Sequence, residues 1–404
     1  IIMYKKKTLK QKKTVSTKSI KSKIRKNRSV GGSFGNLTNK PPSCEHPSCI
    51  SSNISLNKGL RLLGHEHIKT IQKYPSKDKI IGFSWDGAGM SNTRMAIEVI
   101  FGLSIIYDRT IILPPTGYWH HISNKDKSCC KLEDFYDINA LKSHFKVYTS
   151  KEWFNKELTI EEYKDYFSKN DDLFLEKKPF LLDYYNDQFK EKQTKKIWYI
   201  NSNKTRLFGN MDGFFKNSPH LQNIRNKIKN GFKFKKDILK IVEKCLNQNG
   251  ITNVGTFNAI HFRGTDFERF RPNNSGKKGK NDGIYNMLNN FDTKIPLLIA
   301  TDDPTKIEFL KNNYPNIVFM NKCNVPPKYK PLVDLISCTM AQKFIGTTDS
   351  TFTHHIQILR GYLSKNINTI NPDLLYLQSW GKNQNVRQAL YSSDWNIVDK
   401  NRWN

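Results

Sequence analysis

Two blocks of this chain alternate short apolar runs with helical stretches, and this alternation limits the fold more than any other feature. In the first block, Lys79-Ile80-Ile81-Gly82-Phe83-Ser84-Trp85 reads as a strand and Asp86-Gly87-Ala88-Gly89-Met90 as a glycine loop. A helix follows from Ser91, with Met95, Ala96, Val99, Ile100 and Leu103 at i, i+3 and i+4 spacing. Arg109 to Leu113 is the next strand, stopped by Pro114-Pro115. Strand, glycine turn, helix, strand is a βαβ unit, and such a unit demands a parallel sheet.

The second block starts near residue 236. Helices are expected over Asp237–Leu246, Asp303–Asn313, Pro331–Gln342 (with Leu332, Leu335, Ile336 and Met340 inward) and Ser350–Tyr362. Between them lie strands at Phe257–Phe262, Ile295–Ala300, Asn316–Met320, Phe344–Gly346 and Ile367–Ile370. The expected fold is therefore α/β, with two Rossmann-like domains. The first runs over 59–235 and the second over 236–404. A disordered basic arm over 1–58 precedes them, and order begins near Lys79. Residues 118–235 carry less pattern: Trp119, His120 and His121 follow a strand end and are expected to line a cleft. Lys131 to Phe135 starts a helical stretch, 150–195 reads as exposed helices and loops, and Lys196 to Ile200 as a short strand.

Composition bears on partners. Lys and Arg number 66 against 36 Asp and Glu, a net charge of +30. Residues 1–40 hold thirteen Lys/Arg and no acid, so the arm is suited to an anionic surface, while the remainder is still basic. A biased Lys- and Asn-rich composition explains the same numbers. Seven cysteines cannot all pair, which points weakly to a reducing compartment. Cys44, His46, Cys49, His65 and His67 are too loosely spaced for a zinc site, so no metal is expected. No apolar run is long enough to span a bilayer, and the N-terminus lacks the apolar core of a signal peptide. The expected location is cytoplasmic, or secretory if an anchor lies upstream.

Ligands in open parallel sheets sit beyond the carboxyl ends of the strands. Arg263, Thr301-Asp302 and Thr347 to Thr351 all fall at such ends. Arg263, followed by Gly264, is placed to grip a phosphate with its planar fork; the alternative is an ion pair with Asp266. Asp302 offers a carboxylate that can accept two hydrogen bonds from guanine; the alternative is a helix cap. Ser350, Thr351 and Phe352 open a helix whose N–H groups make an anion cradle, or else form an ordinary cap. Gly87 and Gly89 let the first loop turn tightly against a phosphate or sugar. His261, His354 and His355 fit a core as well as a site.

Several short blocks, taken together, resemble the GDP-fucose fucosyltransferases, the protein O-fucosyltransferase and α1,6-fucosyltransferase group. They are Gly89-Met90-Ser91-Asn92-Thr93-Arg94-Met95, Asp108-Arg109-Thr110-Ile111-Ile112-Leu113-Pro114-Pro115, His261-Phe262-Arg263, Ala300-Thr301-Asp302-Asp303, and Ile345-Gly346-Thr347 with Ser350-Thr351-Phe352 and Arg360-Gly361. The similarity covers roughly residues 79–370. It implies a GT-B fold, with the N-terminal domain on the acceptor side of an interdomain cleft and the C-terminal domain binding the nucleotide sugar.

The same resemblance implies that Arg263 contacts the donor diphosphate, Asp302 reads guanine, and Ser350, Thr351 and Phe352 bind the phosphates. His261 then lies near the nucleoside and Asn92 faces donor and acceptor. The expected reaction inverts the anomeric carbon of GDP-fucose and needs no metal. Its acceptor is a protein Ser/Thr or glycan hydroxyl. The chain departs from the family pattern at Ser91 and Thr93, where Asn and Gln are usual. It also has Ala88 where some members carry an acidic base. The nearest acid is Asp86, which, or the leaving phosphate itself, removes the acceptor proton. Two rival readings are a transferase for another nucleotide sugar and a non-catalytic polyanion- or glycan-binding protein on the same fold.

Overall fold

The computed structural model describes residues 54–64, 79–84, 89–117, 119, 122, 130–169, 182, 186–201, 211–215, 217–263, 291–303, 314–318, 320, 323–346 and 350–364. Residues 1–53 of the basic arm, Asp86 and Gly87, His120 and His121, the residues Cys44, His46, Cys49, His65 and His67, the 304–313 stretch of the expected helix and the Ile367–Ile370 strand lie outside these residues.

The chain enters through α1 (Leu56–Leu63), β1 (Ile80–Ser84), α2 (Met90–Ile106) and β2 (Thr110–Leu113). Next come α3 (Ile138–His144), β3 (Val147–Thr149), α4 (Ser150–Phe154), α5 (Ile160–Ser168), α6 (Asn186–Lys192) and β4 (Ile197–Asn201). α7 (Met211–Phe214), α8 (Leu221–Gly231) and α9 (Lys236–Gln248) lead into the second block. That block holds β5 (Asn258–Phe262), β6 (Leu297–Thr301), β7 (Ile317–Val318), α10 (Lys330–Thr339), β8 (Phe344–Gly346) and α11 (Thr351–Ser364).

Both sheets are parallel and repeat one topology. The first is ordered β3-β2-β1-β4 and the second β7-β6-β5-β8. In each, the chain moves outward from the first strand and then returns to its other side. The strand order therefore reverses between β1 and β4 and between β5 and β8, and a crevice opens at such a reversal.

Both faces of each sheet are covered, as parallel sheets require. In β1, Ile81 and Phe83 point to the main core, while Ile80 faces Tyr163 and Phe167 of α5. Gly82 is glycine because any Cβ there would collide with the Phe167 ring. α5 therefore packs on the sheet, unlike the exposed segment expected over 150–195. Its Tyr163 and Phe167 stand one turn apart and are fully buried, and its start is set by a capping box between Thr159 and Glu162.

Tyr163 also alters the ladder between β1 and β2. Thr110 N–H donates to Lys79 O, and pairing runs to Gly82↔Ile112. The next rung of such a ladder would join Phe83 N–H to Ile112 O. Instead Phe83 N–H donates to Tyr163 Oη at 3.2 Å, and the Tyr163 hydroxyl donates to Ile112 O at 2.6 Å. A side chain thus wedges the carboxyl ends of two neighbouring strands apart.

Three further expectations need correction. Order begins before Lys79: α1, capped by Ser55, overlaps the end of the expected arm and packs against α9 and α11. Trp119 does not line a cleft; it is fully buried and stacked on Phe135, with ring centroids 4.4 Å apart. Lys131 to Phe135 holds only a 3-10 turn at Leu132–Asp134. Among the described residues no helix is long and apolar enough to cross a membrane.

Candidate active site

Adjacent strands β5 and β6 end level with each other, Phe262 pairing with Thr301. The next residues are Arg263 and Asp302. Arg263 Nε lies 4.0 Å from Asp302 Oδ2, with side chains 21% and 35% exposed. The two charges thus meet on one side of the sheet at its carboxyl edge. Thr301 Oγ1 accepts from Asp303 N–H at 3.1 Å, so the turn after β6 is held by its threonine.

On the other side of β5, β8 leads toward α11. The first turn of α11 is fastened over the tip of β5 by His261. Its Nδ1 is hydrogen-bonded to Thr353 Oγ1 at 2.7 Å, and its ring lies 4.7 Å from that of Phe352. Burial pushes the His261 pKa down to about 3, helped by Arg263 and opposed by Asp302, so the imidazole is neutral at ordinary pH. His261 is thus both a satisfied buried histidine and a neighbour of the charged pair.

Ser350 discriminates between the two readings of its block. A capping serine gives its oxygen to an N–H of the first turn. Ser350 Oγ is buried and makes no hydrogen bond among the described residues. It is therefore an unused polar group at the N-terminus of a 14-residue helix, where the helix dipole favours an anion. Thr351 is buried and Phe352 half-buried beside it.

The glycine-loop helix shows the same property. α2 begins after Gly89 with no side-chain cap, and Ser91 Oγ and Asn92 Oδ1 are buried without a hydrogen-bond partner among the described residues. One turn on, Arg94 pairs with Glu98 at 2.9 Å, both side chains 3% exposed. Its guanidinium lies 3.9 Å from the Phe232 ring centroid. α2 packs against α11, and the Arg94 charge is felt by His355, whose pKa burial lowers well below the usual histidine value.

Two arginines of the short blocks serve the frame. Arg109 is buried over Trp198 and donates to the carbonyls of Lys195 (2.8 Å), Gln193 (3.1 Å) and Lys196 (3.3 Å). Burial lowers its pKa to about 10. Arg360 donates to the carbonyls of Ala341 (2.6 Å), Gln342 (3.1 Å) and Thr339 (3.3 Å), holding the end of α10.

Of the expected site residues, Arg263, Asp302, His261, Thr351 and Phe352 are brought together around the tips of β5 and β6, with Ser350 at the same helix start. Gly89 and Asn92 lie at the start of α2. Asp86 and Gly87 are outside the described residues. The sequence reading missed Thr353, whose only signal was its place in the Ser350-Thr351-Phe352-Thr353 run after a strand ending in glycine. Among the described residues no group of three metal-binding side chains assembles.

Solved structures resemble the chain at low identity. A POFUT1 complex with GDP is 14% identical, covering 71% of this chain and 96% of that one at a TM-score of 0.47. A mutant of Arabidopsis thaliana FUT1 in complex with GDP is 13% identical, covering 76% and 72% at 0.41. NodZ α-1,6-fucosyltransferase with GDP is 11% identical, covering 70% and 92% at 0.40. No curated protein matches the sequence. A family model, that of GDP-fucose protein O-fucosyltransferase, matches residues 85–363, well over half of the chain. The chain belongs to that family, and it is a glycosyltransferase.

Proposed function

We propose that the chain moves fucose from GDP-fucose to a hydroxyl of a protein Ser/Thr or of a glycan, inverting the anomeric carbon and using no metal. The observation that best supports this reading is the meeting of Arg263 and Asp302 at the level ends of β5 and β6. Arg263 holds the diphosphate, and the Asp302 carboxylate accepts from guanine N1–H and its exocyclic amine. Ser350 and Thr351, with the first-turn N–H groups of α11, take phosphate oxygens. Phe352 and His261 pack beside the nucleoside. Residues 236–404 form the nucleotide-sugar side and 59–235 the acceptor side, with Gly87, Gly89 and Asn92 facing the sugar.

In the transfer, the acceptor oxygen bonds to the anomeric carbon while the bond from that carbon to the diphosphate breaks on the opposite face. The electron pair leaves with GDP, and Arg263 stabilises the charge gained there, the role a metal fills elsewhere. Asp86, or the departing phosphate, takes the acceptor proton. Release of GDP from GDP-fucose, measured in EDTA, tests the scheme. Arg263→Ala is expected to lower turnover about 10²-fold. Equal rates for both proteins remove Arg263 from the mechanism, and loss of wild-type turnover in EDTA removes the metal-free step.

A further inference from the structure

Beside Arg263 one hydroxyl fastens α11 to β5 across a space left open by β8. His261 is the residue of β5 that pairs with Gly346 of β8. Above that pair sits Thr353 of α11. Its Oγ1 is 2.7 Å from His261 Nδ1, and a Cβ added to Gly346 would come within 2.5 Å of the same oxygen and 2.6 Å of Thr353 Cγ2. Gly346 thus leaves the space that lets Thr353 reach the imidazole. Thr353 is fully buried and His261 is 7% exposed, so the contact is shielded from water.

We propose that Thr353 is a positioning residue of the donor site: its hydroxyl holds the His261 imidazole in one orientation, and so sets Phe352 and the start of α11 against the tip of β5. The ring is neutral, so one nitrogen carries a proton and the other a lone pair. The Thr353 hydroxyl can accept from Nδ1–H or donate to an Nδ1 lone pair, and either way it ties the Nδ1 edge of the ring to α11. Without it the ring loses its tie to α11, and Phe352, 4.7 Å from the ring, loses its backstop. The inference deepens the reading above, since it takes the crevice to hold a guanine nucleotide.

Thr353→Val keeps the shape and removes the hydroxyl, whereas Thr353→Ser keeps the hydroxyl. The expected result is about tenfold weaker GDP binding and a KM for GDP-fucose raised by about as much in Thr353→Val. Its kcat stays within about twofold, and Thr353→Ser is restored to wild-type values. The second measurement needs no ligand: nitrogen-15 NMR of histidine-labelled protein, with His261 assigned by its loss in His261→Gln. Wild type and Thr353→Ser should show the same His261 ring-nitrogen shifts, and Thr353→Val a displaced Nδ1 signal from the lost hydrogen bond. Wild-type-like GDP affinity in Thr353→Val overturns the proposal, as does equal weakening in both variants or an unmoved His261 Nδ1 shift in Thr353→Val. A wild-type chain that binds no GDP sinks the nucleotide reading instead, and the NMR arm still decides the hydroxyl's role.

Discussion

Arg263 and Asp302 occupy the same step beyond two level, neighbouring strands and hold opposite charges 4.0 Å apart. That distance is too long for a hydrogen bond, and both side chains reach solvent, so the pair contributes little to stability. Under the proposed function each partner exchanges the other for a ligand, phosphate for the guanidinium and guanine N–H groups for the carboxylate. Arg263→Ala should therefore abolish most turnover and Asp302→Asn most preference for GDP over ADP and UDP, each with a wild-type urea midpoint. Affinities for the three nucleotides, read by calorimetry, check this. A lowered midpoint with unchanged nucleotide preference would mark the pair as structural.

The wedge formed by Tyr163 gives a stability prediction. Its hydroxyl satisfies Phe83 N–H and Ile112 O, two backbone groups that the ladder would otherwise join. Tyr163→Phe leaves both unsatisfied in a fully buried place unless the strands close by the width of an oxygen. The expected loss is about 1–3 kcal/mol, seen as a lower urea midpoint. A midpoint equal to wild type would mean that the strands zip shut.

Arg94 and Glu98 predict a larger loss. Their pair is buried within α2, and Arg94 also rests on the rings of Phe232 and Tyr136. Removing one charge takes a close partner from the other while it stays buried, which costs about 3–5 kcal/mol. Glu98→Ala should lose that much in urea unfolding, and an Arg94→Met/Glu98→Leu double variant should recover most of it. If the double variant is no better than Glu98→Ala, the pair itself carries the stability.

Much of this arrangement was legible in the sequence because parallel strands announce themselves. Runs such as Leu297 to Ala300 are apolar throughout, since both faces are covered, and Arg263 and Asp302 follow directly where such runs stop. α2 was harder. Periodicity marked one apolar face, yet Arg94 and Glu98 are buried too, because each neutralises the other at i, i+4. Arg109 and Arg360 sit in family-like blocks, yet they clamp carbonyls, and the sequence does not distinguish an arginine facing phosphate from one facing a strand end. α1 was missed, and α5 was expected to be exposed, for a different reason: their partners, Val254 and the β1–β2 sheet, lie far along the chain. Thr353 meets His261 across 92 positions.

Gly346 and Gly250 separate close packing from backbone strain. A Cβ on Gly346 would press on Thr353, whereas one on Gly250 meets nothing within 4 Å, although its φ of +75° disfavours any side chain. Gly250→Ala should cost about 1 kcal/mol and leave GDP affinity unchanged. Gly346→Ala should weaken GDP binding as well, by lifting the first turn of α11 from β5. Calorimetry with GDP on both variants checks the contrast, and equal affinity for GDP in the two would show that α11 gives way without consequence.

Acid should act on this fold through its buried histidines. The His261 pKa falls from 6.5 to about 3 on folding. Between those values the unfolded chain binds a proton that the folded chain refuses, so this residue makes stability rise with pH across that window. Above pH 6.5 both states are neutral there and the dependence ends. His355, also lowered by burial and by the Arg94 charge, acts in the same sense below pH 6.5. Asp334 acts oppositely: burial raises its pKa from 3.8 to about 7, so its folded state holds the extra proton and its contribution falls as pH rises between them. Subtracting the unfolding free energy of His261→Gln from that of wild type should thus give a difference that increases from pH 3 to 6.5 and is then flat. The same subtraction for Asp334→Asn should give one that decreases from about pH 4 to 7. Since His261 stays neutral above about pH 4, no inflection in kcat/KM near pH 6.5 should belong to it. An inflection there that vanishes in His261→Gln would mean that the ring is charged when the donor binds.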